Sequence, residues 1–522
     1  MILDARSLPA GTVVDTDVCI IGAGAAGITM AREFAEAPFR VVVLESGGMD
    51  FEPETQELYE GRSVGGPLQD LASSRLRFFG GATNHWGGWC MPFDDIDFAE
   101  RAGLPYHGWP FGKSQLDPWY RRAHEVCQLG PYDYRPASWG ISPKSIPPPF
   151  AGPHFECGVL QVSRVRFGPA YAAQLHQASA VTVYLHANAF QLDGGDSRAE
   201  VREVLTKTLS GNHFAVRARI YVLATGGIEN ARLLLASGEG GGRGLGNAND
   251  LVGRFLMVHL VYSGGTIVLS NPYINLDPLL EGERKDFSGK YAFVPFVGLS
   301  QPTLQRLQLS HAHIVLGYRF SPVGDSVKAM KRLMGGEAPG GSLLADLSKV
   351  IGDLDGIATF AVHKMLFGEG IPIEALLLGC SSEQQPNPDS RVLLGPERDR
   401  LGMPKVEVDW RVTADEKSKA ALILRLLGSE IGKVGLGRLR SSLAENSDWP
   451  ADFYGDAHHM GTTRMHVDPA LGVVDANCRV HSVANLYVAG SSVFPNGSAN
   501  NSTLTIVALA LRLADHIKKQ LT

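Results

Sequence analysis

The sequence predicts an α/β protein with additional α+β elements, in which the main domain is assembled from separated segments of the chain. Short apolar runs typical of buried strands lead through glycines into helical patterns at two distant places, "DVCIIGAG" near the N-terminus and "ARIYVLATGG" near the middle. A third such run, "ANLYVAG" (484–490), precedes the last helical stretch. Periodic signals are weak from about residue 260 to 449, and we expect a second domain there.

The N-terminal run carries a glycine pattern typical of nucleotide binding. Gly22, Gly24 and Gly27 follow a strand and open a helix, and Glu45 ends the next β-branched strand. This is the context of a dinucleotide-binding βαβ unit, in which glycines let the backbone approach a pyrophosphate whose charge the helix N-terminus favours. We expect Glu45 to accept hydrogen bonds from the hydroxyls of the adenosine ribose.

Further elements follow along the chain. A glycine-rich block, "FFGGATNHWGGWC", begins at Phe78, and the alternating pattern of residues 181–217 predicts strands. The glycine-rich stretch 237–250 predicts a surface loop. The stretch 335–342 predicts a mobile connection, which we expect near the entrance of the substrate-binding site. The chain closes on "TLTIVALALRLADHIKKQL", an amphipathic helix with basic residues in its last turns.

The composition is that of a globular protein and excludes several classes of partner. Hydrophobic residues make up 44% and charged residues 20% of the 522 residues. The net charge of −6 argues against nucleic acids and anionic membranes, which need a basic face. The N-terminus lacks the basic and apolar regions of a secretory signal, and no apolar run reaches membrane-spanning length. We therefore predict a cytoplasmic protein with six reduced cysteines: Cys19, Cys90, Cys127, Cys157, Cys380 and Cys478.

Eight sequence blocks occur in a recognisable order: "GAGAAG", "GGATNHWGG", "ATGGIENARLLL", "VGRFLMVH", "EQQPNPDSRVLL", "HHMGTTRM", "GVVDANCRV" and "LYVAGSSVFP" with "NSTLT". Over nearly the whole chain these blocks resemble the glucose–methanol–choline (GMC) oxidoreductases. The closing blocks are most similar to the pyranose-oxidase-like branch and to bacterial glycoside 3-oxidases. The resemblance implies FAD as the cofactor. It also implies a Rossmann-like FAD-binding domain beside a substrate-binding domain whose β-sheet is flanked by helices, as in p-hydroxybenzoate hydroxylase.

The resemblance further implies a domain division and a set of cofactor contacts. Residues 1–110, 155–260 and 450–522 are expected to form the FAD-binding domain, and residues 111–154 and 261–449 the substrate-binding domain. The residues expected to contact FAD are Gly22, Gly24, Ala26, Gly27, Glu45, Ser46, Gly80, Gly81, Thr83, Asn84, His85, Trp86, Gly87, Ala189, Ala224, Thr225, Gly226, Glu229, Gly490, Ser491, Asn501 and Thr503.

Two of these positions raise separate questions. In parts of the family a histidine at the position of His85 bonds covalently to the flavin, and both a covalent and a packing role stay open here. Gly490 stands where the family often has an aspartate, so only a backbone contact is expected at that position.

The stretch "DAHHMGTTRM" contains the candidate catalytic base. The family's catalytic histidine stands three residues before the glycine of a Gly-Thr turn, which selects His458. Its family partner, a His or Asn before the last helix, corresponds to Asn501. Alcohol oxidation needs an acceptor for the hydroxyl proton, which a neutral imidazole provides, while an amide can orient the substrate oxygen. If the segment is extended, His459 points to the opposite side and is structural.

Together these features predict an FAD-dependent oxidation of a sugar or glycoside alcohol, at C2 or C3 of a pyranose, with hydride transfer to flavin N5. Two alternatives stay open: dehydrogenation of a non-sugar primary or aryl alcohol, and a lyase activity on the same fold. The expected electron acceptor is oxygen, or else a quinone or redox protein. Glu383 and Gln385 are candidate substrate contacts, although Glu383 fits a structural carboxylate equally well. We expect no functional metal, because "HHMGTTRMH" offers neither an HExxH pattern nor nearby cysteines.

Overall fold

The computed structural model describes residues 1–238, 243–274, 276–280, 282–335, 342–367, 372–444 and 447–522. Most of the predicted mobile connection (336–341) and the middle of the glycine-rich loop (239–242) therefore lie outside the described residues. Within the described ranges, no helix is long and apolar enough to cross a membrane.

A parallel sheet brings the nucleotide-binding segments of the sequence together. Its three central strands are buried at every position, as expected for a parallel sheet covered on both faces. The N-terminal, middle and C-terminal apolar runs all contribute strands, which confirms the predicted assembly from separated segments. The strands, in order across the sheet, are Ile2–Asp4, Val181–Leu185, Val41–Leu44, Val18–Ile21, Ile220–Leu223 and Leu486–Val488.

Two helices pack in sequence on this sheet and thereby position the C-terminal segment. The helix Ala25–Glu33 packs against the strands Val18–Ile21 and Val41–Leu44, and the C-terminal helix Thr503–Leu521 packs against that helix. Lys518 in the last turns donates a hydrogen bond to Glu33 over 2.9 Å. This packing anchors the last helix, so the residues before Thr503 approach the same edge of the sheet as the N-terminal glycines.

An antiparallel sheet forms the second large layer. In order across the sheet its strands are Gly437–Ser441, His259–Leu269, Ile373–Glu383, Ala312–Phe320, Ala292–Leu299, Phe155–Val162 and Trp89–Cys90, with Arg284–Lys285 and Tyr454–Gly455 as short additional partners. Three of these strands, Phe155–Val162, Trp89–Cys90 and Tyr454–Gly455, come from segments predicted for the FAD-binding domain. Conversely, the helix Asp117–Val126, from a segment predicted for the substrate-binding domain, packs against the C-terminal helix. The sheets therefore cross the predicted boundaries, and the domain division stays a prediction.

Two smaller sheets and the remaining helices complete the described fold. One sheet contains Thr12–Asp15, His213–Arg217, Glu203–Lys207 and Asn188–Asp193, and the other Arg391–Arg398, Pro404–Asp409 and Gly61–Ser63. The first of these includes three of the strands predicted for residues 181–217, while the fourth, Val181–Leu185, belongs to the parallel sheet. The other α-helices are Pro53–Gln56, Asp95–Phe98, Phe167–Gln177, Glu229–Ala236, Gln301–Leu307, Pro322–Leu333, Leu343–Gly352, Leu354–Phe367 and Ala414–Lys433.

Candidate active site

A cavity of about 620 Å³ lies at the carboxyl ends of the parallel strands. Its wall includes the residues that follow these strands, among them Gly22, Glu45, Thr225 and Gly490. Ligands of open α/β sheets bind at this edge, and the volume falls within the roughly 300–1,000 Å³ typical of small-molecule and cofactor sites. The cavity is therefore the candidate cofactor and substrate site.

The N-terminal glycines have three different steric surroundings. A Cβ on Gly22, whose φ is +103°, would lie 2.6 Å from the carbonyl oxygen of Ala224. A Cβ on Gly27 would lie 1.9 Å from the carbonyl oxygen of Gly22, so this glycine allows close packing of helix on strand. A Cβ on Gly24 would meet no atom within 4 Å, because Gly24 faces the cavity. The helix that follows has no side-chain cap, which leaves its N-terminus available to a pyrophosphate.

Glu45 is buried on the cavity wall, after the second strand. Its Oε2 accepts a hydrogen bond from Ala23 N over 2.8 Å, and its Oε1 accepts one from Gly47 N over 3.0 Å. Burial raises the pKa of this carboxyl group, while the two backbone hydrogen bonds act in the opposite direction. Each oxygen keeps a second acceptor position, so the predicted contact with ribose hydroxyls fits the geometry.

Two arginines on the cavity wall were not identified from the sequence. Arg75 and Arg77 donate to the carboxylate of Glu229, over 3.0 and 3.2 Å. Burial alone would raise the pKa of Glu229, but the charges of Arg232, Arg77 and Arg75 lower it to about 2. Glu229, a predicted cofactor contact, thus holds two cations at the cavity, where they suit a pyrophosphate. The alternation in "SRLRF", directly before the glycine-rich block, is the sequence signal for them.

The residues present fit FAD. Cβ atoms on Gly87, Gly226 and Gly490 would also meet nothing within 4 Å, so these glycines leave room along the cavity. Two buried polar atoms of wall residues, Ser74 Oγ and His459 Nε2, have no hydrogen-bond partner within the described ranges. Such orphaned groups are costly unless a ligand or water satisfies them.

Most of the predicted cofactor contacts line the cavity, but three do not. The lining residues among them are Gly22, Gly24, Ala26, Glu45, Ser46, Gly81, Thr83, His85, Trp86, Gly87, Ala189, Ala224, Thr225, Gly226, Glu229, Gly490, Ser491, Asn501 and Thr503. Gly27 packs under the helix, as described above. A Cβ on Gly80 would lie 2.7 Å from Gly168 N, and the side chain of Asn84 donates to the carbonyl of Phe79. These three residues therefore contact neighbouring backbone and do not line the cavity.

His85 lines the cavity at the end of the short 3₁₀ helix Gly81–Asn84. Burial, and then the charge of Arg166, lower the pKa of its imidazole, so the neutral form predominates at physiological pH. A neutral imidazole has a free lone pair, as both a covalent and a packing role permit. The covalent link therefore stays a prediction.

His458 lies between a carboxylate and an amide. Its Nδ1 hydrogen-bonds Asp456 Oδ2, and its Nε2 lies 3.4 Å from Asn501 Nδ2. All three residues line the cavity. Burial alone would lower the pKa of the imidazole, but the charge and hydrogen bond of Asp456 raise it above its ordinary value. The structure thus brings together the two residues predicted for catalysis and adds Asp456, which the sequence places two residues before the histidine.

His459 differs from the expectation that it points away from the site, because it also lines the cavity. Burial, and then the charge of Arg75, lower the pKa of its imidazole to about 3. The two adjacent histidines therefore have opposite pKa shifts, raised at His458 and lowered at His459. Environments that separate the pKa values of neighbouring groups are a mark of acid–base sites.

A further histidine contacts the same carboxylate from the antiparallel sheet. His259, the first residue of its strand, has Nδ1 at 3.3 Å from Asp456 Oδ2, and its ring lies 4.8 Å from that of His458. The backbone N–H of His259 donates to Asp456 Oδ1 over 3.1 Å. His259 belongs to the "VGRFLMVH" block, but nothing in its sequence spacing indicates proximity to His458.

The two predicted substrate contacts do not reach the cavity. Glu383 is buried away from it, where its carboxylate pairs with His107 at 3.0 Å and with Arg101 at 3.4 Å. The side-chain amide of Gln385 donates to Asp415 over 2.9 Å. Both side chains are engaged within the protein, so the geometry does not support a substrate contact for either residue.

Two clusters of described residues bring histidines and carboxylates close together: His259, Asp456 and His458, and Asp94, Asp97 and His311. In each cluster the atoms pair with one another, as in the 3.3 Å contact between His311 Nδ1 and Asp97 Oδ1. We interpret both as ion-pair clusters, and the absence of a functional metal stays a prediction.

Comparisons with known proteins agree with this geometry. A model described as "FAD dependent oxidoreductase" matches residues 17–241, and one described as "GMC oxidoreductase" matches residues 386–510. The first covers the glycine fingerprint and Glu229, and the second covers His458 and Asn501. The two models together therefore span the cavity described above.

Two relatives and one solved structure match this chain over nearly its whole length. A 6'''-hydroxyparomomycin C oxidase from Streptomyces lividus is 26% identical, over 97% of this chain and 92% of the relative. A 2-methyl-1,2-propanediol dehydrogenase from Mycolicibacterium austroafricanum is 23% identical, over 97% of this chain and 95% of the relative. The structure of a formate oxidase superposes with a TM-score of 0.56 at 16% identity, covering 98% of this chain and 99% of the other. At that identity the last match shows the fold alone.

Proposed function

Because the chain belongs to the GMC family of FAD-dependent oxidoreductases, which act on alcohol groups, we propose that it oxidises a hydroxyl group of a sugar or glycoside, with His458 as the base. The observation that carries this proposal is the pair formed by His458 Nε2 and Asn501 Nδ2, 3.4 Å apart on the cavity wall. A base and a hydrogen-bonding amide at one point of a cofactor cavity are what oxidation of a CH–OH group requires.

The chain's own groups have distinct parts in this reaction. Asn501 donates a hydrogen bond to the substrate oxygen and orients the carbinol carbon. His458 Nε2 accepts the hydroxyl proton, which its neutral form can do because Nδ1–H is donated to Asp456. Bound FAD supplies the acceptor for the hydride at flavin N5. The fingerprint glycines, Glu45 and the two wall arginines would hold the cofactor in the cavity that His458 also lines.

The substrate class is supported by a relative and by the cavity wall. The Streptomyces lividus relative is an oxidase of 6'''-hydroxyparomomycin C, an aminoglycoside and therefore a compound built from sugar rings. Trp86 and Trp89 line the cavity here, and indole faces suit the apolar faces of a pyranose. Oxidation at C2 or C3 of a pyranose is supported by two further relatives, a C-glycoside 3-oxidase from Microbacterium trichothecenolyticum and a pyranose 2-oxidase from Tricholoma matsutake, which match 61% and 12% of this chain. The alternative, a non-sugar alcohol, is favoured by the relative that dehydrogenates 2-methyl-1,2-propanediol.

An anaerobic bleaching screen tests the proposal. The yellow holoenzyme is mixed without oxygen with D-glucose, methyl β-D-glucoside, paromomycin, 2-methyl-1,2-propanediol and benzyl alcohol, and the flavin absorbance is followed. Bleaching by a sugar or glycoside, with formation of the keto product, supports the proposal. Bleaching only by 2-methyl-1,2-propanediol or benzyl alcohol would show that the substrate is a non-sugar alcohol. A flavin that no alcohol reduces would contradict the oxidation itself and favour the lyase alternative.

A further inference from the structure

Asp456 lies at the centre of a hydrogen-bonded group that none of the comparisons describes. Its carboxylate is hydrogen-bonded to Nδ1 of His458 and accepts bonds from the backbone N–H groups of His458 and His259. The Nδ1 atom of His259 lies 3.3 Å from the same Oδ2 that bonds His458. One carboxylate thus serves two imidazoles from different parts of the fold.

The backbone fixes this carboxylate in place. Asp456 N donates to the carbonyl of His259 over 3.1 Å, so the segment before His458 is hydrogen-bonded to the first residue of the strand His259–Leu269 of the antiparallel sheet. Burial alone would raise the pKa of Asp456, but the charges and hydrogen bonds of His458 and His259 hold it well below its usual range. The group is therefore an ionised carboxylate whose orientation both elements determine.

From these contacts we propose that Asp456 is a positioning residue for His458, holding it as the Nδ1–H tautomer with Nε2 turned towards Asn501, and that His259 shares and moderates the carboxylate. The inference rests on the proposed role of His458 as the base. Only one imidazole nitrogen of neutral His458 carries a lone pair, and donation from Nδ1 places that lone pair on Nε2. Without the carboxylate, both tautomers become accessible and the base loses its fixed direction.

The surroundings of His458 predict opposite effects for its two neighbours. The titratable groups that face it are Asp456 and His459 on its own segment and His259 on the strand, with Arg75 behind His459. Removal of the Asp456 charge should lower the pKa of His458, because the negative partner is lost. Removal of the His259 donor should raise it, because Asp456 then bonds His458 alone.

Nuclear magnetic resonance of the FAD-bound protein tests this without a substrate. Histidines labelled with ¹³C and ¹⁵N are titrated in the wild type, and the His458 signal is assigned by its loss in His458→Ala. We expect an Nδ1–H tautomer and a pKa above that of a free imidazole.

In Asp456→Asn the pKa of His458 should fall and the tautomer should become mixed, and in His259→Phe the pKa of His458 should rise. His259→Asn retains a donor near the position of Nδ1 and should restore the wild-type value, and Asp468→Asn, an exposed site in the same region, should change nothing.

Several results would overturn the inference. An unchanged titration in Asp456→Asn, or an Nε2–H tautomer in the wild type, would show that the carboxylate does not set the state of His458. A titration that changes after dialysis against EDTA would assign the three side chains to a cation. If Asp456→Asn does not fold with FAD, Asp456→Glu replaces it, because the longer side chain displaces the carboxylate from Nδ1 and should lower the pKa of His458 by a smaller amount. Failure of the proposed function itself would appear separately, as normal flavin reduction in His458→Ala.

Discussion

The side-chain amide of Asn501 lies 3.4 Å from Nε2 of His458, although 42 residues separate them in the chain. The contact exists because the C-terminal helix is anchored beside the N-terminal helix, which brings the residues before Thr503 to the edge of the parallel sheet. This contact marks the part of the cavity wall at which we expect the substrate hydroxyl to react.

The first prediction concerns the cofactor. Gly24→Val adds a side chain where a Cβ would meet no atom within 4 Å, so the variant should fold but fill space that the pyrophosphate needs. We expect a large loss of flavin absorbance per protein with an unchanged melting temperature of the apoprotein. Gly432→Ala is the matched control, because its Cβ also meets open space but lies outside the cavity. Full FAD content in Gly24→Val would contradict the assigned cradle.

A second prediction tests the link at His85. If this imidazole is bonded to the flavin, acid precipitation should leave the yellow colour with the wild-type protein and release it from His85→Ala. His213→Ala, a substitution at a histidine outside the cavity, should retain the colour. Complete extraction of flavin from the wild type would exclude the covalent bond and leave His85 as a packing residue.

The third prediction concerns Glu383, whose ion pairs are buried away from the cavity. Glu383→Gln leaves Arg101 without its charged partner, and such a break typically costs about 3–5 kcal/mol of unfolding free energy. The rate of flavin reduction per bound FAD should remain unchanged, because the carboxylate does not reach the cavity. Chemical denaturation and anaerobic stopped-flow measure the two quantities. A stable variant with an altered substrate preference would restore Glu383 as a substrate contact.

The same residue predicts acid sensitivity. Burial alone would raise the pKa of Glu383, but the charges and hydrogen bonds of His107 and Arg101 lower it to about 2. Because the folded pKa lies below the ordinary value, the stabilisation is complete above that value and is lost as the pH falls towards 2. The unfolding free energy of the wild type should therefore decrease more steeply across this window than that of Glu383→Gln. Parallel pH profiles would contradict the assignment.

Sequence patterns predicted those parts of the fold and site that depend on local geometry. The fingerprint glycines, Glu45 and the strands before them follow from spacing, because a βαβ unit places its turn and second strand in a fixed relation. The partnership of His458 and Asn501 came from family resemblance alone. The arginine pair was visible only as an alternation whose purpose depends on Glu229, 152 residues away from Arg77.

The contact of His259 with Asp456 could not be predicted from spacing, because it results from pairing in a sheet of distant strands. Register in such a sheet is set by the whole hydrophobic face and not by the two residues involved. The same reason explains why Glu383 and Gln385, expected to contact the substrate, do not line the cavity. The "EQQPN" segment lies at the end of the strand Ile373–Glu383, and its side chains turn to Arg101, His107 and Asp415 instead of the cavity.

The orienting role of Asn501 gives a further prediction. Asn501→Ala removes a hydrogen bond to the substrate oxygen but leaves the base, so flavin reduction should slow less than in His458→Ala and keep its pH dependence. Anaerobic stopped-flow with the best substrate of the bleaching screen measures both. A pH profile that disappears in Asn501→Ala would assign the ionisation to a group other than His458.

The central claim is that His458 accepts the hydroxyl proton, and anaerobic rapid mixing of His458→Ala with that substrate tests it most directly. Flavin reduction should slow by about 10²–10⁴-fold, with FAD content and melting temperature retained. The wild-type rate should rise with pH through one ionisation above the ordinary imidazole value, because only the neutral form accepts a proton and Asp456 raises its pKa. His459→Ala should have a much smaller effect on reduction. A His458→Ala enzyme that reduces its flavin at the wild-type rate, or a crippled His459→Ala enzyme beside it, would contradict the account.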